Sequence, residues 1–261
     1  MMEVICLANS YKHHGRCFAG IDLQSKRWVR PICRAGGAIP IEDQIINISN
    51  INILDVVDIP IDEKKTTGHE LENFYYRREP WRIVRHSTVA EIIGHCDGEI
   101  LHPEFGKSID YGYLDQKAPV RSLQIIEVKQ LQCLLDRNHK WRGVIQDVNY
   151  GLQGVKLSIT DPMTLSKLQS GQDIGSHCLV TLSFSQPWHP DGEEKLKCYR
   201  LIAGVIELCP ELELILKEMR RLGWTEERGR SYLQENFGKR SRHELTLEEC
   251  QQFLFYLQNL P

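Results

Sequence analysis

Residues 3–32, EVICLANSYKHHGRCFAGIDLQSKRWVRPI, constrain the fold more than any other stretch of the chain. Val4 to Ala8 are continuously apolar, as in a strand covered on both faces, and Asn9-Ser10 bring turn chemistry immediately after them. A loop with Lys12, His13, His14 and Arg16 follows. Cys17, Ala19 and Ile21 then alternate with Phe18, Gly20 and Asp22, which predicts a second strand, and Asp22 to Lys26 is short enough for a hairpin loop. A third strand starts at Trp28. In an extended chain Trp28 and Arg30 share a face, so one surface is expected to offer an indole beside a guanidinium, a pairing that suits a nucleobase and a phosphate.

Charge sharpens that expectation. The 261-residue chain carries 32 basic and 35 acidic residues, a formal net charge of -3, so no global positive field draws it onto nucleic acid. Residues 1–34, however, hold Lys12, Arg16, Lys26, Arg27, Arg30 and Arg34 against only Glu3 and Asp22. Solvated charges on an exposed hairpin would look the same, but their interleaving with Phe18 and Trp28 favours a binding surface. A second aromatic-basic run, GHELENFYYRREPWRIV, gathers Tyr75, Tyr76, Arg77 and Arg78 into another candidate contact region; its alternative is a set of rings plugging a barrel end. Trp188 and His189, flanked by prolines, form a third and weaker candidate.

At Cys6 to Ser10, Lys12, Gly15 to Cys17, Ala19-Gly20 and Trp28 to Pro31 the sequence resembles the bacterial dual OB-containing domain family, with its CLANSxKxxGRCxAG and W-[IV]-RP elements. LSITDP at Leu157 to Pro162 and CYRLIAGVIE at Cys198 to Glu207 resemble the family's second signature. The resemblance implies two tandem OB-like barrels and a nucleic-acid-related or defence-related role in prokaryotes, and it brings no catalytic residues.

The expected fold is mainly β: a first OB-like barrel in residues 1–95, a structured linker in 96–119, a second OB-like barrel in 120–208 and a three-helix module in 209–261. Leu54 to Ile61 is a strand candidate that Pro60 confines to an edge or a terminus. Thr88 to Glu91 has capping-box spacing, predicting a short helix to about Gly94 with Ile92 and Ile93 inward. Five strand candidates fill the second half, and Asp161-Pro162 read as the N-cap and first residue of a helix ending at Gly171. Gln153-Gly154 reads as a turn. Leu212, Ile215, Leu216, Met219 and Leu222 give an amphipathic helix stopped by Gly223; a second starts at Trp224-Thr225 and stops at Gly238; Thr246 to Glu249 is a capping box for a third. This tail resembles a small helical module appended to cyanobacterial proteins. Its Lys239, Arg240 and Arg242 form a basic corner.

Nine cysteines are scattered without a CxxC pair. Cys6, Cys17 and Cys198 sit among strand apolars and read as small core residues. His95, Cys96 and His102 lack zinc-like spacing, so no metal and no cofactor is expected. Neither a secretion signal nor a membrane-length apolar run is visible, which predicts a cytoplasmic protein without a membrane partner. Phosphate-binding glycine loops, nucleophile elbows and HExxH are missing, and the expectation is a non-enzymatic protein. Its predicted partner is single-stranded nucleic acid or a nucleotide, contacted by Lys12, Arg16, Trp28, Arg30, Tyr75, Tyr76, Arg77 and Arg78. The alternative is an adaptor or sensor that takes a partner protein or small nucleotide through the barrels, with a protein partner on residues 209–261.

Overall fold

The computed structural model describes residues 1–12, 15–34, 37–65, 70–116, 121–189, 194–208, 210–242, 245 and 247–261. His13 and His14 of the basic loop, and Thr246 of the last capping box, lie outside the described residues. The chain divides into two compact units, Met1–Glu207 and Leu208–Pro261; the first is mainly β and the second helical.

Eight strands build the first sheet: β1 (Met2–Lys12), β2 (Gly15–Asp22), β3 (Trp28–Ile32), β4 (Ile39–Pro40), β5 (Asp55–Ile59), β6 (Ile61–Lys64), β7 (Asn73–Tyr76) and β8 (Arg82–His86). They run in the order β6-β7-β3-β2-β1-β5-β8, with β4 on β2. Only Pro60 separates β5 from β6, yet β5 pairs with β1 and β6 with β7. A residue without an N–H thus turns the corner that closes the sheet on itself. The one parallel pair is β3 with β7. Val4, Cys6, Phe18, Val29, Val57 and Trp81 fill the interior, and Phe18 meets Trp81 edge to face at 5.4 Å.

The second sheet holds β9 (Ser108–Asp110), β10 (Leu123–Val128), β11 (Leu131–Leu135), β12 (Trp141–Ile145), β13 (Lys156–Ile159), β14 (Cys178–Phe184) and β15 (Lys197–Glu207). Its order is β10-β14-β15-β13-β12-β11, with β9 on β15. The strands at the two ends of that path, β10 and β11, are neighbours in sequence, so one nearly continuous segment closes this barrel as well. Here β13 and β15 are parallel. Each barrel therefore has the OB order, in which the third strand lies parallel to the fifth and the first and fourth complete the ring. The helix α3 (Pro162–Gln169) joins the third and fourth strands, as its cap predicts: the Asp161 carboxylate accepts from Met163 N at 3.2 Å and Thr164 Oγ1 at 2.6 Å. Residues 108–110, within the stretch read as a linker, add a strand to β15.

The barrels meet through small residues. Ala8 and Ala19 pack against Leu123 and Ala203, with Trp28 at the margin. A Cβ on Gly204 would lie 2.2 Å from Leu7 O across the seam, and within the first barrel one on Gly20 would lie 1.9 Å from Ile5 O. Backbone contact at this range leaves room for glycine alone. β1 shifts register between Cys6 and Ala8, and β15 between the partners of Thr181 and Leu182, so both strands bulge where they touch. Tyr11 N donates to Thr160 O at 2.8 Å across the same boundary.

The Thr88 capping box is present, but α1 (Val89–Ile92) ends early and continues as a 3-10 turn, Ile93–His95. Ile92 is buried, whereas Ile93 is exposed, since consecutive helical residues point about 100° apart and only one of the two can face inward. A further short helix, α2 (Tyr111–Gln116), precedes the second barrel.

In the helical unit, α4 (Pro210–Arg221), α5 (Glu226–Phe237) and α6 (Leu247–Gln258) enclose Ile215, Met219, Leu233, Cys250, Phe253 and Leu257. Thr225 Oγ1 caps α5 by accepting from Arg228 N, and Gly238 ends it at φ 67°. Tyr232 stacks between Phe253 at 4.9 Å and Tyr256 at 4.5 Å.

Candidate nucleic-acid interface

The turn between β2 and β3 presents the strongest cluster. Asp22, itself buried, organises it: its carboxylate accepts from Ser25 N at 2.7 Å and its carbonyl accepts from Lys26 N at 2.9 Å. Lys26 takes a left-handed backbone, φ 59°. The result is that Lys26 and Arg27 stand in solvent beside Trp28, which is half-buried at the first position of β3.

Trp28 lines a cleft of about 320 Å³ together with Lys26, Arg27, Lys64, His95 and Arg121. Ile21 and Leu71 supply further apolar wall, and Glu72 is the one carboxylate. Lys26, Arg27 and Lys64 form no ion pair among the described residues, while Arg121 bonds Asp97 at 2.6 Å. Glu72 is occupied by Arg30, at 3.4 Å, and by the Ser122 hydroxyl and amide. Three cations without an ion pair, with Arg121 held by Asp97 and the one lining carboxylate engaged, make this a positive cleft around an aromatic wall.

Arg30 corrects the sequence-based expectation. It is 5% exposed, and Nη1 lies 2.6 Å from Glu70 Oε1, while Nη2 donates to Ser122 Oγ at 3.0 Å and to Ser183 Oγ at 3.4 Å. Two residues further into β3 than Trp28, it lies under the segment before β7 and against the second barrel. The carboxylates of Glu72 and Glu70 hold its pKa above the ordinary value against the opposing effect of burial. It is a tie between the barrels, with its guanidinium turned to Glu70, Ser122 and Ser183 and away from solvent.

Arg200, in the second signature, has the same kind of place. It is 1% exposed, donates from Nε to Gly106 O at 3.1 Å and from Nη2 to the carbonyls of Leu101, His102 and Phe105, and lies 4.8 Å over the Phe184 ring. Desolvation lowers its pKa to about 10.

Lys12 and Arg16 are not brought to the cleft. Arg16 pairs with Tyr11 across the hairpin and Ile21 with Trp28; five residues of strand separate them, roughly 16 Å at about 3.3 Å per residue. Arg16 donates to Asn9 O at 3.1 Å and stacks 4.3 Å from the Tyr11 ring centroid. Lys12 is half-buried beside it.

The second aromatic-basic run lines another cleft, of about 670 Å³, whose charges cancel: Arg34, Arg77 and Arg78 face Glu42, Asp43 and Asp62. Arg78 bonds Asp43 at 2.8 Å, Arg77 bonds Glu79 at 3.2 Å, and Arg34 bonds Asp62 and Glu63. Tyr76 belongs partly to the barrel interior, 5.5 Å from Trp81 edge to face, and burial pushes its phenol up to about 12. Tyr75 carries Arg34 at 5.0 Å over its ring. The barrel-plug alternative thus describes Tyr76 and Trp81.

Lys64, His95 and Arg121 were not among the sequence-predicted residues. No local signal marks them, since they reach the cleft from β6, from the turn after α1 and from the approach to β10. Trp188 is exposed, with its ring 5.7 Å from Tyr199. Among the described residues, no cluster of three or more His, Cys, Asp or Glu side chains could hold a metal ion, and no helix is long and apolar enough to cross a membrane.

Two closed barrels with the OB strand order, packed through a shared small-residue seam, define a double OB-fold protein, and OB-fold domains are generally binding modules. The chain belongs to the dual OB-containing domain family, whose model matches residues 2–205. A 44-residue stretch is 50% identical to the uncharacterized protein slr1353 of Synechocystis sp. (strain ATCC 27184 / PCC 6803 / Kazusa) and spans 17% of this chain and 15% of that protein. No solved structure matches the chain.

Proposed function

We propose that the protein binds single-stranded nucleic acid at the Trp28 cleft. The carrying observation is a half-exposed indole flanked by three cations, Lys26, Arg27 and Lys64, that have no carboxylate partner among the described residues. A base stacks on the indole, and the cations take phosphate charge. Use of OB barrels for oligonucleotide binding supports the reading. The eight described cysteines are free thiols, which supports a reducing cytoplasmic setting. We read the contact set as centred on Trp28, with Arg30 removed from it and with Tyr11, Lys12 and Arg16 as a separate patch at the other end of the hairpin.

Fluorescence anisotropy with a labelled oligonucleotide at low salt tests the proposal. Binding is expected to weaken with salt by about 0.7 in logarithmic slope for each phosphate contact, and Lys26→Ala with Arg27→Ala together to lower that slope by about 1.4. Wild-type protein that leaves the anisotropy unchanged overturns the proposal.

A protein partner for the helical unit is the second reading. Phe255 on α6 is 71% exposed and Leu214 on α4 is exposed as well, and large apolar side chains in solvent mark interaction surfaces when they cluster. Truncation after Leu208 should leave oligonucleotide affinity unchanged and abolish capture of that partner.

A further inference from the structure

The Trp28 cleft has the dimensions and charge of a site for one nucleotide. Its volume of about 320 Å³ falls at the small end of the roughly 300–1,000 Å³ range of small-molecule sites. Among the described residues Trp28 is the one large ring that lines it, with the smaller His95 imidazole beside it, whereas grooves that follow a strand set out several stacking platforms in succession. Around that ring converge Lys26 and Arg27 from the turn before β3 and Lys64 from β6, with Arg121 beside them held by Asp97. An internal phosphodiester carries a single charge, but a terminal phosphomonoester carries about -1.5 to -2 at pH 7, which is the better match to three cations without a carboxylate partner gathered at one base.

Among the described residues, the other arginines of the two basic runs do not extend the cleft. Arg30 is sealed beneath Glu70 and Glu72. Arg34, Arg77 and Arg78 are each held by a carboxylate, and Arg16 stands roughly 16 Å away along β2, by the strand rise. On the side of the barrel seam the cleft ends where Trp28 packs on Ala8, Ala19, Leu123 and Ala203.

We propose that the cleft takes a nucleotide bearing a terminal phosphomonoester, as the phosphorylated end of a strand or as a free mononucleotide, and that it does not follow the interior of a strand. This rests on the nucleic-acid reading above. The Trp28 indole stacks on the terminal base, and Lys26, Arg27 and Lys64 surround the phosphate.

The test uses the full chain and one labelled ten-nucleotide sequence in four forms: 5′-phosphorylated, 3′-phosphorylated, without terminal phosphate, and circular. Unlabelled 5′- and 3′-mononucleotides serve as competitors. One phosphorylated end is expected to bind at least about tenfold more tightly than the unphosphorylated and circular forms. That preference should fall to less than twofold in the Lys26→Ala, Arg27→Ala variant, with melting temperatures confirming that the variant is folded. A mononucleotide that displaces the oligonucleotide assigns the site to the nucleotide itself; failure to displace it while the end preference holds assigns it to strand ends. Equal binding of all four forms overturns the proposal and leaves the nucleic-acid reading standing. An end preference that survives in the variant also overturns it, because the preference then arises outside the cleft. Absence of binding by every form removes the nucleic-acid reading and the proposal with it.

Discussion

Replacing Arg30 by methionine removes the guanidinium that Glu70 and Glu72 share. Glu72 is 3% exposed and is left with the Ser122 hydroxyl and amide, while Glu70 loses its 2.6 Å cation and keeps Asn73 Nδ2 at 2.7 Å. Breaking a buried pair from one side costs about 3–5 kcal/mol, since the remaining charge stays desolvated. For a compact unit of this length each kcal/mol moves the melting temperature by about 2–4 °C, so Arg30→Met is expected to lower it by about 6–20 °C. The triple variant Arg30→Met, Glu70→Gln, Glu72→Gln should regain most of the loss, because no unpaired charge is left behind. Urea titration gives the free energy and calorimetry the midpoint. The triple variant should also hold oligonucleotide affinity within about threefold of wild type, as a guanidinium sealed under two carboxylates makes no phosphate contact. An Arg30→Met protein within 0.5 kcal/mol of wild type refutes the structural assignment; a folded triple variant with tenfold weaker binding refutes the removal of Arg30 from the interface.

Trp28→Ala should cost about 1–3 kcal/mol of oligonucleotide affinity, the value of one base-aromatic stack, measured by anisotropy at constant salt. Gly204→Ala should destabilise the double barrel by about 1–3 kcal/mol or more in urea, since the added methyl meets Leu7 O and not a yielding side chain. Asp136 gives a pH signature. The Lys140 amide, with Arg142 and the Asn138 amide, lowers its folded pKa to about 2 from an ordinary 3.8. A depressed carboxylate contributes stability above its unfolded pKa and loses it as pH falls through the folded value. Wild type should therefore lose stability between about pH 4 and about pH 2 more steeply than Asp136→Asn, a difference that acid titration followed by circular dichroism would detect.

Much of the fold is written in local pattern. The apolar run at Val4, the alternation after Cys17, the Asp161-Pro162 cap and the glycine stops at 223 and 238 depend on neighbours within a few residues, and each reads correctly. β11 is not legible locally because LQCLL lacks the alternation that separates a strand from a short helix. Arg30 was misplaced for a related reason: period-two alternation tells which residues share a face, but not what covers that face. Its partners Glu70, Ser122 and Ser183 lie 40, 92 and 153 residues further on, beyond the reach of any window. The candidate site is partly legible on the same grounds. Trp28, Lys26 and Arg27 are contiguous and conspicuous, whereas Lys64, His95 and Arg121 reach the cleft only through barrel closure. Charge density alone also misleads at Arg77 and Arg78, whose neighbouring carboxylates neutralise the run.

The most direct measurement is photocrosslinking of a halogenated-pyrimidine oligonucleotide, with the modified peptides mapped by mass spectrometry. Adducts are expected on Trp28 and its flanking residues, with Lys64 or Arg121 close behind. Adducts concentrated on Tyr75 to Arg78, with the Trp28 peptide unmodified, would contradict binding at the Trp28 cleft.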